Sequence, residues 1–373
     1  MTDTHVSKAA LEPVALGDMT LPNRLVMAPM TRARAADGGL VTALTAEYYA
    51  QRASAGLIIT ESVAVNRVGV GFVSIPGLHD PAQVAAWRTT TEAVHAAGGR
   101  IFAQLNHAGR IGHPSLHPAG APLLAPSPVA YGETYTPQGM LENPEPREMT
   151  LADVEAAVTD FARAARNAVD AGFDGVQLQA GNGFLIHQFL SDNANLRTDA
   201  YGGTVTGRIR FAVEVTEAVA GAIGAHRVAV RLTPANPYNG VAEPAPERSY
   251  RELATALPRG LAFVEVSEAG TADHTDMIRR AWGGGFVVNP QAAPGDAPAD
   301  PARGLTVLRD GRADAVTLAK PWLANPDLVA RIAAGGPYNT PDFQTMYGGA
   351  GAAGYTDYPT REAAETSLAG AGS

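Results

Sequence analysis

Short apolar runs alternate along the chain with longer segments in which apolar residues recur every three or four positions. The runs are almost continuously apolar, as in strands buried on both faces, and they cover residues 24–30, 57–63, 100–107, 175–181, 228–234, 263–269, 286–289 and 315–318. Helical periodicity marks the segments 45–55, 81–97, 151–171, 206–223 and 250–257. This alternation predicts a parallel sheet whose strands are joined by helices.

Eight such units favour a closed (β/α)8 barrel, the TIM barrel, over an open doubly wound sheet. A dinucleotide-binding open sheet would carry Gly-x-Gly-x-x-Gly after an early strand, and Gly69-Val-Gly71 lacks the rest of that motif. We therefore predict an α/β chain in which residues 1–362 form one barrel domain. Residues 363–373, rich in Ala, Gly and Ser, are predicted to form a flexible tail.

Two segments interrupt the alternation of strands and helices. Residues 114–148 are rich in Pro, Gly and Ser without clear periodicity, which predicts a long excursion after the third strand. Residues 291–303 are interrupted by prolines and replace much of the helix expected after the seventh strand. Long irregular loops in compact domains are commonly functional, so both segments are candidates for the walls of a binding site.

Composition narrows the classes of function. The chain has 28 Lys and Arg against 37 Asp and Glu, a net charge of −9, which gives no support to nucleic-acid or anionic-membrane binding. It has no cysteine, which excludes disulfides, thiolate metal sites and cysteine nucleophiles. No His-Glu-x-x-His motif or His–carboxylate cluster falls at a strand end, so no metal site is predicted. Neither a secretory signal nor a membrane-spanning run is visible, and a cytoplasmic protein is expected.

Candidate chemistry lies at the C-terminal ends of the predicted strands, where barrel enzymes build their active sites. Hydrogen-bonding side chains with both donors and acceptors stand at these ends and suit a planar heterocycle. Arg231, inside the fifth strand, is costly to bury without a partner. Two interpretations are open for it: a contact with the anionic edge of a reduced flavin, or an ion pair with an acid inside the barrel.

At these strand ends the chain resembles the old yellow enzyme family of FMN-dependent ene-reductases, from about residue 11 to about residue 359. The motifs that carry the resemblance are LPNRLVMAPMTR (21–32), EYYAQRASAG (47–56), RTDAYGG (197–203), ANPDL (324–328) and GYTDYP (354–359). The resemblance implies a TIM barrel with an N-terminal β-hairpin and extended loops at its C-terminal face. It also implies FMN as cofactor, NADPH or NADH as electron donor, and an activated alkene as electron acceptor.

The resemblance also implies roles for individual residues of a flavin site. Thr31 corresponds to the residue near the flavin O4, Gln104 to the one that bonds the pyrimidine edge, and Arg231 to the one beside N1 and O2. Lys320 corresponds to the phosphate-binding position and Tyr347 to a tyrosine beside the ring. The predicted cofactor-binding residues are Pro29, Met30, Thr31, Ser62, Gln104, Arg231, Asn289, Lys320 and Tyr347.

The chain departs from the family at the end of the fourth strand. The family motif H-G-[AC]-[NH]-G-Y reads Gln-Ala-Gly-Asn-Gly-Phe over residues 179–184. Gln179 and Asn182 stand where the family binds the carbonyl or nitro oxygen of the substrate, and neutral amides polarise that oxygen less than a protonatable histidine. Phe184 replaces the tyrosine that gives a proton to the α-carbon. The predicted catalytic set is Gln179, Asn182 and Phe184, with the proton supplied by water, by Tyr131, Tyr135 or Tyr238, or not required.

The phosphate-binding loops depart as well. The family's Gly-Gly pair after the seventh strand is replaced by Asn289-Pro290-Gln291, and its Gly-Arg after the eighth by Ala319-Lys320. Pro290 removes a backbone N–H donor. Lys320 keeps a positive charge without the two-pronged geometry of arginine. FMN binding through Lys320 and neighbouring amides is expected, and a flavin-free barrel with a binding or accessory role is the alternative.

Asn106 stands where many family members carry a large residue. Together with the long 114–148 loop, Asn106 predicts a wide substrate pocket for a bulky or polar small molecule. Tyr238 is predicted to line the same pocket. The family indicates a monomer or a homodimer. Because Phe184 has no hydroxyl, a second enzymatic interpretation stays open: a biosynthetic catalyst of an isomerisation, a dehydrogenation or another redox-neutral step.

Overall fold

The structure is a computed structural model that describes residues 8–269, 272–290, 300–349, 351–364 and 366. Its strands are β1 Val14–Leu16, β2 Met19–Leu21, β3 Leu25–Met27, β4 Leu57–Ala64, β5 Ile101–Asn106, β6 Leu124–Ala125, β7 Glu133–Thr136, β8 Gly139–Glu142, β9 Arg147–Glu148, β10 Gly175–Ala180, β11 Val228–Leu232, β12 Phe263–Ser267, β13 Phe286–Asn289 and β14 Ala315–Leu318. Its helices are α1 Ala43–Ala50, α2 Pro81–Ala96, α3 Leu151–Asp170, α4 Leu185–Leu190, α5 Val205–Ile223, α6 Pro246–Ala256, α7 Asp273–Trp282, α8 Ala302–Arg309, α9 Lys320–Ala324 and α10 Leu328–Ala334.

Eight parallel strands close into a barrel in the order β10-β11-β12-β13-β14-β3-β4-β5. Each is one of the eight apolar runs of the sequence, so the predicted (β/α)8 architecture is confirmed. The strands are buried on both faces, which explains their nearly unbroken apolar character. Their C-terminal ends meet at one mouth of the barrel, and the loops that follow them form its rim.

The predicted N-terminal hairpin is present as the antiparallel pair β1–β2. Leu16 and Leu21 of this hairpin are fully buried against residues at the starts of the barrel strands, such as Phe102 and Phe263. Gly17 makes the turn at φ +58°, and a Cβ there would lie 3.0 Å from the Cα of Ala262. The hairpin therefore closes the end of the barrel opposite the mouth.

Helix ends follow the capping signals in the sequence. Thr150 caps α3 through a reciprocal box with Asp153, and Asp80 caps α2 in the same way with Gln83. Helix α1 ends at Ala50 rather than at residue 55, because the chain turns there to place Arg52 in the core. Helices α4, α7, α8, α9 and α10 were not predicted, since each is at most ten residues long and carries little periodicity.

The 114–148 segment is an excursion, as predicted, but it contains regular structure. Strands β7 and β8 form an antiparallel hairpin within it, and β6 pairs in parallel with β9 at its base. After β13, the predicted proline-interrupted segment, residues 291–303, lies mostly outside the described residues, and α8 begins at Ala302. The predicted tail, residues 363–373, also lies almost wholly outside them. Within the described ranges, no helix is both long enough and apolar enough to cross a membrane.

Three of the five family-like motifs meet in one stack of aromatic and guanidinium groups. The rings of Tyr48 and Tyr355 are stacked with centroids 4.3 Å apart. The guanidinium carbon of Arg52 lies 3.9 Å from the Tyr48 centroid, and that of Arg34 lies 4.5 Å from the Tyr355 centroid. Arg32 lies 5.0 Å from both rings. These cation–π contacts attach the C-terminal segment to the loop after β3, so a structural role explains much of these motifs.

Candidate functional site

A chain of buried hydrogen bonds crosses the interior of the barrel. Ser62 Oγ donates to Gln104 Oε1 over 2.9 Å, and Gln104 Nε2 donates to Gln177 Oε1 over 2.8 Å. Gln177 Nε2 in turn donates to Glu265 Oε2 over 2.5 Å. Because β10 and β12 are not neighbouring strands, this last bond passes through the barrel interior. Two predicted flavin-site residues, Ser62 and Gln104, therefore belong to one network.

Arg231 forms the other end of the same network. Its guanidinium pairs with the fully buried Glu265 and donates from Nη2 to Asn289 Oδ1 over 2.8 Å. The amide of Asn289 also accepts from Ser267 Oγ at 3.2 Å and donates to the carbonyl of Thr317 at 2.8 Å. The ion pair that the sequence left open for Arg231 is thus present, and Asn289 serves the barrel's own network with both ends of its amide.

Four buried polar atoms of the barrel strands and their ends find no hydrogen-bond partner within the described part of the chain. They are Asn106 Oδ1, Gln179 Oε1, Arg231 Nε and Thr317 Oγ1. A buried polar group without a partner costs about 1–3 kcal/mol, so such groups indicate where a ligand belongs. Gln179 stands directly opposite Arg231 in the β10–β11 register, which brings the two predicted roles to one place.

The loop that follows β10 carries the other two predicted catalytic residues. Asn182 is half-buried and has φ +53°, a left-handed conformation that asparagine tolerates better than most residues. Phe184 is buried in a small apolar cluster with Ala108 and Ile111, and its ring meets that of Phe72 edge-on with centroids 6.2 Å apart. The position that carries a proton donor in the family is therefore packed here as an apolar wall.

The loop after β3 holds the predicted residues Pro29, Met30 and Thr31, and Thr31 is half-buried at the mouth. The backbone of this loop is fixed by Glu61, whose Oε2 accepts from the N–H groups of Arg32 at 3.0 Å and Ala33 at 3.3 Å. Burial raises the pKa of Glu61 to about 7, although the two N–H donors act in the opposite direction.

Exposed aromatic and cationic side chains form the rim of the mouth. Tyr238 and Tyr347 are each 61% exposed, and burial together with the neighbouring Tyr238 raises the pKa of Tyr347. Tyr131 packs against Gly240 and lies 5.4 Å from the guanidinium of Arg110. Of the predicted residues, Tyr238 and Tyr347 thus come together on the rim and not in the buried network.

Lys320 lies apart from the buried network. It begins α9, is exposed, and its ammonium is 5.6 Å from the centroid of the Phe343 ring. Pro290 is half-buried at the end of β13, and Gln291 lies outside the described residues. The described part of the predicted phosphate site is therefore one free cation beside a helix start that lacks a glycine-rich loop.

The residues present at the mouth fit FMN. Its isoalloxazine ring offers carbonyl oxygens and ring nitrogens, and the unpartnered Nε of Arg231 and Oγ1 of Thr317 are buried groups of the kind that would bond them. Lys320 supplies a positive charge for a phosphate. No group of three or more His, Asp or Glu side chains that could hold a metal ion occurs within the described ranges.

Sequence reasoning missed two members of the network, Gln177 and Glu265. Both lie inside strands that form apolar runs in the sequence. Gln177 is two positions before Gln179 on β10, and Glu265 stands opposite Arg231 in the β11–β12 register. The available signal was a polar residue in the middle of an otherwise apolar run, which costs free energy unless it is paired. Glu61 of β4 was also missed, because its bonds to the backbone of the loop after β3 join residues 28 and 29 positions apart.

Comparisons with known proteins identify the family of this chain. The sequence profile of the NADH:flavin oxidoreductase / NADH oxidase family matches residues 10–339. The chain is 39% identical to chanoclavine-I aldehyde reductase of Penicillium roqueforti, over 93% of this chain and 95% of that protein. It is also 39% identical to a probable flavin mononucleotide-dependent alkene reductase of Leishmania infantum, over 94% of this chain and 96% of that protein.

Solved structures show the same relationship. Morphinone reductase in complex with tetrahydroNAD has a TM-score of 0.89 and 39% identity, covering 94% of this chain and 97% of that one. The old yellow enzyme homologue of Zymomonas mobilis has a TM-score of 0.88 and 37% identity, covering 94% and 99%. The chain therefore belongs to the old yellow enzyme family, the NADH:flavin oxidoreductase / NADH oxidase family, and is an oxidoreductase whose cofactors are FMN and NAD(P)H.

Proposed function

We propose that this enzyme reduces the carbon–carbon double bond of an α,β-unsaturated carbonyl compound with electrons from NAD(P)H. The observation that carries the proposal is the pair of amide side chains at the end of β10, Gln179 and Asn182. The side chain of Gln179 is 3% exposed and makes no hydrogen bond within the described part of the chain, so its amide N–H group is available to a ligand. Two amide N–H donors hold a carbonyl oxygen without carrying a charge.

FMN would be held by Arg231, Gln104, Thr31 and Lys320, and when bound and reduced it supplies the hydride for the β-carbon of the alkene. The contribution of the chain is to orient the alkene. The Gln179 and Asn182 amides bind the carbonyl oxygen, and Phe184 with Phe72 forms an apolar wall beside it. A fixed orientation of this kind accounts for a large part of the rate in reactions between two bound groups.

The proton for the α-carbon needs another source, because Phe184 has none to give. Tyr131 and Tyr238 stand on the exposed rim at 45% and 61% exposure, where they exchange protons with water. We infer that bulk water, directly or through a rim tyrosine, supplies the proton. General acid catalysis contributes about 10²- to 10⁴-fold where a positioned donor exists, so turnover should be slow beside relatives with a tyrosine.

The decisive experiment follows NADPH oxidation by the FMN-loaded enzyme under anaerobic conditions, with and without an enone. Formation of the saturated ketone, detected by mass spectrometry, supports the proposal, and parallel runs with NADH decide the preferred donor. A separate aerobic control tests reoxidation by O₂. If O₂ reoxidises the reduced enzyme but no enone does so, the proposal is wrong. Large polyfunctional enones should outperform cyclohexenone, because Asn106 is buried and its Oδ1, which has no partner within the described residues, can bond a polar group of such a substrate. The opposite ranking contradicts that expectation.

A second candidate is a redox-neutral isomerisation, and the packing of Phe184 favours it. A pocket wall without a hydroxyl suits a reaction in which the chain gives no proton at that position. The same experiment separates the two candidates. An isomerisation gives a product of unchanged mass and consumes no stoichiometric NADPH, whereas reduction adds two hydrogens and consumes one NADPH for each product molecule.

Other properties follow from the same proposal. We infer that residues 1–362 act as one flavin-binding unit, and that the enzyme works on a bulky or polar small molecule in the cytoplasm as a monomer or a homodimer. Size-exclusion chromatography with light scattering measures the oligomeric state directly.

A further inference from the structure

A second buried polar group lies behind the loop that carries Asn182, outside the network described above. His187 of α4 is fully buried, and its Nε2 lies 3.1 Å from the hydroxyl of Tyr250 and 3.2 Å from Oε2 of Glu243. The Tyr250 hydroxyl donates to Glu243 Oε1 over 2.9 Å. Tyr250 is 1% exposed, and burial together with the Glu243 carboxylate raises its pKa well above the usual value.

The other ring nitrogen of His187 faces the loop. Nδ1 accepts the backbone N–H of Gly183 over 2.9 Å, which requires that Nδ1 carries no proton and places the ring proton on Nε2. That proton points at Glu243 and Tyr250, so these two groups select the tautomer that the Gly183 bond needs. The hydroxyl of Thr233, directly after β11, lies 3.5 Å from the same Nδ1.

Four hydrogen bonds hold the backbone of Asn182 and Gly183. The N–H of Asn182 donates to Thr233 Oγ1 at 2.8 Å, and its carbonyl accepts from Asn239 Nδ2 at 2.8 Å. The N–H of Gly183 donates to His187 Nδ1, and its carbonyl accepts from Gln188 Nε2 at 2.7 Å. This four-bond clamp fixes two successive residues at φ +53° and φ +71°. An asparagine held left-handed in this way persists only because its surroundings over-determine it.

We propose that His187 is a positioning residue: as a neutral imidazole oriented by Glu243 and Tyr250, it locks the Asn182–Gly183 backbone and so aims the Asn182 amide at the substrate carbonyl. The inference rests on the proposed role of Asn182 as a carbonyl anchor. His187 accepts the one bond of the clamp that depends on the tautomer of a ring, and Glu243 and Tyr250 fix that tautomer.

The test uses two matched variants of the FMN-loaded enzyme. His187→Asn keeps an acceptor oxygen near the place of Nδ1, whereas His187→Gln places its polar end near Nε2 and leaves Gly183 without an acceptor. The enzyme is reduced with dithionite, and its reoxidation is then followed by stopped flow. O₂ is the control oxidant because it needs no carbonyl anchor, and hydrogen exchange of the peptide covering residues 180–184 reports the clamp without any substrate.

We expect His187→Gln to slow reoxidation by an enone about tenfold, to leave reoxidation by O₂ unchanged and to speed exchange at residues 180–184. His187→Asn should stay near wild type in all three measurements. Equal rates and equal exchange in both variants and wild type overturn the proposal, as does equal loss in both variants. If no enone reoxidises wild type, the proposed function fails, and the exchange comparison alone then decides the role of His187.

Discussion

Two polar regions of this barrel differ in the partners of their hydrogen-bonding groups. Inside the barrel, the polar side chains bond mainly to one another, and few of their polar atoms stay available. These side chains are Gln104, Gln177, Glu265, Arg231 and Asn289. At the end of β10 and in the loop after it the reverse holds: the backbone of Asn182 and Gly183 makes four hydrogen bonds, while the side chains of the predicted anchors, Gln179 and Asn182, make none within the described part of the chain. The interior network therefore bonds mainly to itself and leaves few groups, Arg231 Nε among them, for a flavin, whereas the Gln179 and Asn182 side chains are open to a ligand.

The largest expected effect comes from breaking the interior network. Glu265→Ala leaves the buried Arg231 unpaired, and loss of one partner of a buried ion pair costs about 3–5 kcal/mol in the free energy of unfolding. The double variant Glu265→Leu with Arg231→Met removes both charges and should recover most of that loss. Denaturant unfolding measures both. An undiminished stability of Glu265→Ala would show that the network does not support the fold.

The next effect concerns Glu61, which fixes the loop after β3 as the clamp fixes the loop after β10. Its pKa is raised in the fold from 4.5 to about 7, so its contribution to stability is complete below pH 4.5 and is lost as the pH rises through 7. One pKa unit corresponds to about 1.4 kcal/mol. The free energy of unfolding of Glu61→Gln should therefore rise relative to that of wild type by up to about 3 kcal/mol between pH 4.5 and pH 8.

Denaturant unfolding of wild type and Glu61→Gln across this pH range checks the prediction. Burial lowers the pKa of His107 to about 3, so this residue also makes the free energy of unfolding depend on pH. Its effect has the opposite sign to that of Glu61, because the stability is lost as the pH falls below the ordinary histidine pKa. Both proteins contain His107, so its effect drops out of the difference between them. A stability difference between the two proteins that stays flat with pH would contradict the raised pKa of Glu61.

The variant Phe184→Tyr tests the loop after β10. A hydroxyl at this position restores a proton donor, and we expect alkene reduction to rise by about 10²-fold, within the range of general acid catalysis, with little change in stability. Steady-state kinetics with an enone measures it. If wild type already works as fast as the variant, another group supplies the proton; Tyr238→Phe and Tyr131→Phe then identify it.

The smallest effect is expected at the rim. Lys320→Ala should weaken FMN binding about tenfold, or about 1.4 kcal/mol, because the ammonium faces solvent and its attraction to a phosphate is screened. Lys320→Arg keeps the charge and should bind nearly as wild type does. Titration of the apoprotein by flavin fluorescence at low and high salt measures both. Equal affinities for all three proteins would mean that the phosphate is held by backbone groups alone.

Several features could be read from the sequence because they depend on local patterns. Strands that are buried on both faces must be apolar throughout, so all eight barrel strands were visible, and their order followed from the strand–helix alternation. Gln179 and Asn182 could be placed at the mouth because a barrel puts its strand ends there, and the family resemblance implied their role as anchors. Short helices such as α4 could not be predicted from the sequence, since six residues carry too little periodicity.

By itself the sequence determined the barrel, the family and the absence of a hydroxyl at Phe184, since these depend on residue type and spacing. Only the tertiary structure decided that Arg231 pairs with Glu265, 34 residues away, and that Gln177 reaches the same carboxylate across 88 residues. It also decided that His187 bonds Gly183 with a tautomer selected by Glu243. Such contacts form when barrel closure brings distant strands and loops together, and no local pattern along the chain carries that information.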